Sequence, residues 1–147
     1  LVLSRAKGLA GEAYVNALLG CSLDPTGYRV LPNVILPTPG GTTLIDHVVV
    51  SRFGIFVVET KHYKGWIFGA RDNKYWTQVL YKRKHRFQNP LRQNYRHTKT
   101  LADVTGLAHE YFIAVVVFTG SAQFKTQMPA NVIHLRDLVP FILSAVG

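Results

Sequence analysis

The sequence predicts an α/β protein with a mixed central sheet flanked by helices. Three observations support this prediction: a helical apolar pattern near the start, several segments rich in β-branched residues, and a second helical pattern that precedes a continuous apolar segment. The chain has 147 residues, of which 48% are hydrophobic. That length is typical of one domain and that composition is sufficient for a core, so we expect residues 1–147 to form a single domain.

The first helix is predicted over residues 4–19, with Gly20 ending it. Within that range Glu12 is the only acidic residue. Gly11 weakens the helix in isolation but would allow it to pack closely against another element. The apolar residues that recur at helical spacing are Ala6, Leu9, Ala10, Ala13, Ala17 and Leu18.

Strands follow in the middle of the chain, and they are predicted at residues 28–36, 43–51, 55–61, 66–70 and 75–81. Pro32 interrupts the first of them. Only three residues separate the second from the third, which predicts a hairpin. The last two are predicted to pair as well, and residues 82–88 are predicted to be a basic loop.

A second helix is predicted to begin at Asn89 and Pro90, with Asn89 as its N-cap and Pro90 at its first position. It runs to about residue 105, and Gly106 ends it. Residues 111–118 form a continuous apolar run, which is typical of a strand covered on both faces. A short strand at residues 132–135 and a closing helix at residues 136–145 complete the prediction.

Two carboxylates lie inside the β-branched strands of the predicted hairpin, where an unpaired charge is costly to bury. A two-residue turn at Arg52 and Phe53 places Asp46 directly opposite Glu59, whereas a three-residue loop with a glycine bulge would shift the register by one. Opposed like charges destabilise a sheet, and a divalent cation would compensate because it prefers clustered carboxylate oxygens. Lys61 lies two residues after Glu59 and is expected on the same face.

Two carboxylates, a metal ion and an ammonium group on one sheet face suffice for phosphodiester hydrolysis. The metal lowers the pKa of a bound water and polarises a phosphoryl oxygen, and the lysine orients that water or stabilises charge on the phosphate. The alternative is that Asp46 and Lys61 form a structural ion pair while Glu59 is a solvated strand end. The residues alone leave both interpretations open.

Several motifs occur together in this chain: Gly11-Glu12, residues 45–50, residues 54–61, Gly65-Trp66-Ile67, Trp76 and residues 89–94. In this combination, over about residues 7–118, the chain resembles the nuclease-related domain called NERD, of the PD-(D/E)XK or restriction-endonuclease-like superfamily. The resemblance implies an αβββαβ core with a mixed sheet. Ile45 stands where the superfamily has a proline before its first aspartate, a departure common in NERD-like sequences.

The resemblance also implies a nuclease that hydrolyses phosphodiester bonds of DNA with Mg²⁺ or Mn²⁺, with RNA as an alternative substrate. Asp46, Glu59 and the backbone carbonyl of Thr60 would bind the metal. The implied catalytic set is two metal ligands, a catalytic lysine, a helix glutamine that positions the lysine or the phosphate, and a supporting acid from the first helix: Asp46, Glu59, Lys61, Gln93 and Glu12.

Basic residues are concentrated in one stretch. The formal net charge is +9, and 12 of the 17 Lys and Arg residues lie between Arg52 and Lys99. Such an excess favours a polyanion, and these side chains would bind phosphates without reading sequence. A solvated loop is the alternative for residues 82–86. The predicted nucleic-acid contacts are Lys82, Arg83, Lys84, Arg86, Arg92, Arg96 and Lys99.

Other classes of protein are disfavoured. The single cysteine, Cys21, excludes an internal disulfide and a cysteine-rich zinc site, and the longest apolar run, residues 112–118, is too short to cross a membrane. We expect a cytoplasmic location. Because the sequence begins at Leu1 rather than methionine, we also expect a longer chain with fused domains. Two further functions stay open: a non-catalytic nucleic-acid-binding module with the nuclease fold, and an interaction domain of a larger protein.

Overall fold

The computed structural model describes residues 2–145, with side chains from residue 11 onward. Leu1, on which the expectation of a longer chain rests, lies outside the described residues, and so do the side chains of Ala6, Leu9 and Ala10. The helices are α1 (Val2–Ser22), α2 (Pro90–Thr105) and α3 (Leu138–Ser144). The strands are β1 (Tyr28–Thr38), β2 (Gly41–Ser51), β3 (Gly54–His62), β4 (Gly65–Phe68), β5 (Tyr75–Leu80), β6 (Arg83–Gln88), β7 (Phe112–Thr119), β8 (Ala122–Phe124) and β9 (Val132–His134).

The main sheet has five strands in the order β1-β2-β3-β7-β9. β1, β2 and β3 are antiparallel neighbours, whereas β7 pairs in parallel with β3 and with β9. The crossover from β3 to β7 contains α2, as a parallel connection requires. The predicted fold class, a mixed sheet flanked by helices in αβββαβ order, is confirmed.

Helices cover both faces of this sheet. On one face α1 and α3 pack on β2 and β3, with Val15 of α1 and Leu138 of α3 in one cluster with Phe56. On the other face α2 contributes Leu101 to a cluster with Val57. None of the helices within residues 2–145 is long and apolar enough to span a membrane.

The first helix differs from its prediction in length and in the face it buries. It continues through Gly20 to Ser22. Val15 and Leu19 are fully buried, whereas Ala13 and Ala17 are exposed. The larger side chains bury more apolar area than the alanines, so they set the rotation of the helix.

The close approach predicted at Gly11 is present. A Cβ atom built on Gly11 would lie 2.8 Å from Thr119 Oγ1 and 3.0 Å from His62 Cβ. These two residues end β7 and β3, and their side chains are joined by a 2.7 Å hydrogen bond. α1 therefore crosses the carboxyl ends of the two central strands, next to Glu12.

The basic loop predicted at residues 82–88 is wrong, because residues 83–88 form strand β6. It belongs to a second sheet with the order β6-β5-β4-β8. Trp76 of β5 pairs with Phe87 of β6, and their rings pack edge to face in a third apolar cluster. One apolar residue thus fixes the register of a strand whose other residues are polar. β8 had no sequence prediction.

The predicted limits of the second helix are confirmed. The Asn89 side chain accepts a hydrogen bond from the Leu91 N–H at 2.9 Å, Pro90 is the first residue, and Gly106 ends the helix with φ 73°. The closing segment is less helical than predicted, because residues 135–137 form a 3₁₀ turn before α3. β1 continues past Leu36 to Thr38.

Candidate active site

The β2–β3 hairpin has the register that the sequence predicts. Its turn contains two residues, and its last pair is His47 with Val58. One position further, the Thr60 N–H donates to Asp46 Oδ2 at 2.9 Å. The Asp46 carboxylate thus accepts a strand N–H in place of a main-chain carbonyl, just beyond the last pair of the ladder.

The regular alternation of side chains between the two faces of the sheet is interrupted in β2 at Asp46 and in the neighbouring strand β1 at the same level. Ile45 and His47 would share one face of a regular strand, yet Ile45 packs in the cluster on the α2 side and His47 lines a cavity with Glu12 of α1. Asn33 lies across from Asp46 on β1, and its φ of 53° is left-handed. Because the strand turns over at this point, groups from both sides of the sheet can reach Asp46.

Glu12 reaches Asp46 from α1. Partial burial, the Asp46 charge and a hydrogen bond to Asp46 together raise the pKa of Glu12 to about 7, with burial the largest cause. Glu12 also lines a cavity of about 230 Å³ with Asn16 and His47. The resemblance named Glu12 as a supporting acid, and its carboxyl group does lie at the site.

Glu59 faces α2 and is buried, with 5% of its surface exposed. Burial and the Asp46 charge raise its pKa, Lys61 lowers it, and the net pKa is about 7. Lys61 Nζ lies 3.3 Å from Glu59 Oε1. The structural alternative is therefore wrong in both parts: Lys61 pairs with Glu59 rather than Asp46, and Glu59 is not a solvated strand end.

Gln93 fixes the ammonium group from the second helix. Lys61 Nζ donates to Gln93 Oε1 at 3.1 Å. The next residue, Asn94, is fully buried and its Nδ2 donates to the main-chain carbonyls of Val57 at 2.9 Å and Val115 at 3.3 Å. These bonds fasten α2 to β3 and β7, so the position of Gln93 is set by the fold.

His97 joins this group, although it is not among the predicted site residues. Its Nδ1 lies 3.7 Å from Glu59 Oε2, and the side chain is buried. Burial lowers the pKa of His97, so the ring is neutral at neutral pH. The signal was present in the sequence, since His97 lies four residues after Gln93 and thus on the same side of the helix.

The donor set at Asp46 is compatible with Mg²⁺ or Mn²⁺. Among residues 11–145 no three His, Cys, Asp or Glu side chains are arranged to enclose a metal ion. Mg²⁺, however, is usually held by one or two carboxylates and otherwise by water and substrate phosphates. The N–H and C=O of one strand residue point to the same side, so the Thr60 carbonyl points toward Asp46 as its N–H does.

The predicted nucleic-acid contacts lie on two elements. All seven side chains are exposed. Those on α2 line two cavities: Arg92 and Arg96 line one of about 430 Å³ together with Arg71, and Arg96 and Lys99 line one of about 480 Å³. The β5–β6 hairpin carries Lys82, Arg83, Lys84 and Arg86.

The raised pKa values of Glu12 and Glu59 predict how the free energy of unfolding depends on pH when EDTA removes divalent metal ions. Between about pH 4.5 and about 7 the folded protein retains protons that the unfolded chain releases, so the free energy of unfolding falls as pH rises through this window. Glu59→Gln should flatten this fall by on the order of 2 kcal/mol. Urea unfolding in EDTA at both ends of the window measures it.

The comparison with Glu59→Gln also separates the contribution of Glu59 to the pH dependence from that of the buried His47. His47 and His97 have lowered pKa values and act in the opposite sense, since they lose stability as pH falls. His47 lies on the α1 side of the sheet and its contribution cancels in the difference, whereas His97 Nδ1 lies 3.7 Å from Glu59 Oε2 and contributes to it. An equal slope in the two proteins would contradict the raised pKa of Glu59.

Comparison with known proteins adds two findings. The model of the nuclease-related domain (NERD) family matches residues 7–119. An uncharacterized protein from Bacillus anthracis is 50% identical over 96 residues, which is 65% of this chain and 45% of that relative. The chain thus spans less than half the length of the curated relative it matches. The family match includes every side chain that meets at Asp46.

Proposed function

Since the chain belongs to the nuclease-related domain family, we propose that it is a metal-dependent nuclease that hydrolyses phosphodiester bonds of DNA. One observation carries the proposal: Asp46 lies close enough to Glu12 and Glu59 for its charge to raise the pKa of both, and an ammonium group held by Gln93 lies beside Glu59. Burying acids together costs free energy. A catalytic or metal-binding role would explain why these acidic residues are kept close together despite this cost.

Asp46, Glu59 and the Thr60 carbonyl would hold Mg²⁺ or Mn²⁺. Such an ion, when bound, neutralises the carboxylates, polarises a phosphoryl oxygen and makes a water more acidic. The raised pKa values of Glu12 and Glu59 agree with such a site. Without a metal ion, bound protons reduce the repulsion between the carboxylates, as a cation would. Glu12, on the α1 side, would support Asp46.

Lys61 is placed to act on the phosphate or on the attacking water. Its ammonium group has three N–H donors, of which one is used by Gln93 and another faces Glu59. The side chain is about one-fifth exposed, so the third donor can meet a ligand from solvent. An ammonium fixed in this way stabilises negative charge that develops on the phosphate without first reorganising.

The exposed cations would attract and hold the DNA backbone. They lie on the exposed side of α2, the helix that carries Gln93 and His97, and on the β5–β6 hairpin. In the part of the chain that the structure describes, no carboxylate pairs with any of these seven side chains. Their charge is therefore available to phosphates, and affinity should fall steeply with salt.

A cleavage assay and a metal soak test the proposal together. Supercoiled and linear DNA are incubated with purified protein in Mg²⁺, in Mn²⁺ and in EDTA, with Asp46→Ala as the matched variant. We expect metal-dependent cleavage by the wild type, none by the variant, and Mn²⁺ density between Asp46 and Glu59 in a soaked crystal. Equal cleavage by both proteins would identify a contaminant and reject the proposal.

A non-catalytic nucleic-acid-binding module is the second candidate. The observation that favours it is the absence, among residues 11–145, of a ready cluster of three metal-binding side chains. It predicts DNA binding that weakens with salt, survives Asp46→Ala and is never followed by cleavage in either metal. The assay above separates the two functions directly.

A further inference from the structure

The turn of the β5–β6 hairpin lies at the same end of the molecule as the carboxylate site. β4 begins at Gly65, four residues after Lys61, and β5 returns antiparallel to β4. Gly65 packs against the carbonyl of Val79, and Gln78 Nε2 donates to the Lys64 carbonyl at 2.8 Å. The turn that follows β5 is therefore next to the segment that leaves the site.

This turn has an unusual backbone for its residues. Tyr81 has φ 51° and Lys82 has φ 63°, so both are left-handed. Two-residue hairpin turns of this kind favour Asn-Gly, and a bulky side chain at positive φ is a genuine outlier. Strain of this sort is typically retained where it serves a function. Stability of the turn does not account for the choice of residues.

Tyr81 is also the most exposed large hydrophobic side chain of the described residues, at 88%. Within residues 11–145 its ring makes no hydrogen bond, aromatic contact or cation contact. Tyr75, on the same hairpin, is different: its ring is covered by Arg86 at 4.7 Å and Lys74 at 5.6 Å. The face of Tyr81 is thus free for a planar partner from outside.

The charge around Tyr81 selects the chemistry of that partner. The hairpin from Tyr75 to Gln88 contains no acidic residue, and its cations follow Tyr81 immediately along the chain. β6 is the edge strand of its sheet. Cations on an edge strand also prevent edge-to-edge aggregation, which would explain the charges alone. It would not explain an exposed tyrosine at positive φ.

We propose that Tyr81 stacks on an unpaired base of a single-stranded nucleic acid segment while the cations of β6 hold its phosphates. Aromatic side chains in a basic groove are the general means of binding single strands, because every base has a π-face. The inference rests on the proposed function and specifies its substrate class: nucleic acid that is single-stranded next to the scissile bond.

Binding measured in EDTA tests this without any cleavage. The probes are a labelled 12-nucleotide single-stranded DNA, the RNA of the same sequence, and a blunt DNA duplex. Tyr81→Ala should weaken single-strand binding about tenfold, roughly 1.4 kcal/mol, with little effect on the duplex. Tyr81→Phe should bind as the wild type does. Tyr111→Ala is the matched control and should also bind normally, because Tyr111 is an exposed tyrosine in the 3₁₀ turn just before β7.

A base analogue reports the stacking itself. With 2-aminopurine in the single strand, the wild type and Tyr81→Phe should change its fluorescence, and Tyr81→Ala should not. An equal loss on duplex and single strand, no loss on either, or no binding of single strands by the wild type would overturn the inference. If Tyr81→Ala binds and cleaves single strands as the wild type does, this inference is rejected and the proposed catalysis stands. If single-strand binding depends on Tyr81 but no cleavage occurs, only the proposed catalysis is rejected.

Discussion

Replacing Lys61 by methionine is expected to slow DNA cleavage by about 10²–10³-fold, the usual effect of removing one preorganised donor at a developing charge. Methionine retains an unbranched apolar stem and removes the ammonium group. Lys61 touches Glu59 and Gln93 but not Asp46, so cation binding should persist. The measurement is a single-turnover cleavage rate on a labelled linear DNA with saturating Mn²⁺, alongside Mn²⁺ titration of the same protein.

The choice of pH matters in this experiment. Lys61 lowers the pKa of Glu59, so its removal raises that pKa further above the value of about 7. Working at pH 8.5 favours the ionised form of Glu59 in both proteins, and the Mn²⁺ titration separates a lost cation site from lost catalysis. Arg29→Met is the matched control, because Arg29 is an exposed cation on β1, beside the turn end of the β2–β3 hairpin and away from the site. A wild-type rate for Lys61→Met would remove Lys61 from the mechanism.

Elements with strong local signals were predictable from the sequence. The limits of α2 follow from Asn89, Pro90 and Gly106, each of which acts within one helical turn of itself. The β2–β3 register is the one that a two-residue turn at Arg52 and Phe53 predicts, although the sequence also left open a three-residue loop with a shifted register. Tertiary contacts decided the rest: β6 exists because Phe87 packs beside Trp76, and that contact has no local signature.

The candidate site divides in the same way. Asp46, Glu59 and Lys61 come together through strand alternation and register, which the sequence contains. Glu12 comes through the crossing of α1 over the strand ends at Gly11, and only the family resemblance indicated it. The turnover of β2 at Asp46 could not be predicted, because the sequence pattern continues the regular alternation through it; Asn33 on β1 departs from regular strand geometry at the same level, with φ 53°.

Asn89 provides the largest expected effect on stability. It is fully buried; its Oδ1 caps α2, and its Nδ2 donates to the carbonyls of Arg71 at 2.9 Å and Asn73 at 2.7 Å. Asn89→Asp retains the shape and the cap but replaces the donor by a charged acceptor that faces two carbonyl oxygens. A negative charge at a helix N-terminus gains only about 0.3–1 kcal/mol. Leaving buried acceptors unpaired costs about 1–3 kcal/mol for each group, so the loss prevails.

We therefore expect Asn89→Asp to lower the free energy of unfolding by about 3 kcal/mol, which for a chain of this size is a fall in Tm of about 6–12 °C. Gln88→Glu makes the same amide-to-carboxylate change one residue earlier at an exposed position, and its Tm should be unchanged. If Asn89→Asp has the same Tm as the wild type, the hydrogen bonds of the Asn89 amide do not hold α2 to the loop between β4 and β5. Since α2 carries Gln93 and His97, the loss of these hydrogen bonds should also slow DNA cleavage at temperatures below the unfolding transition.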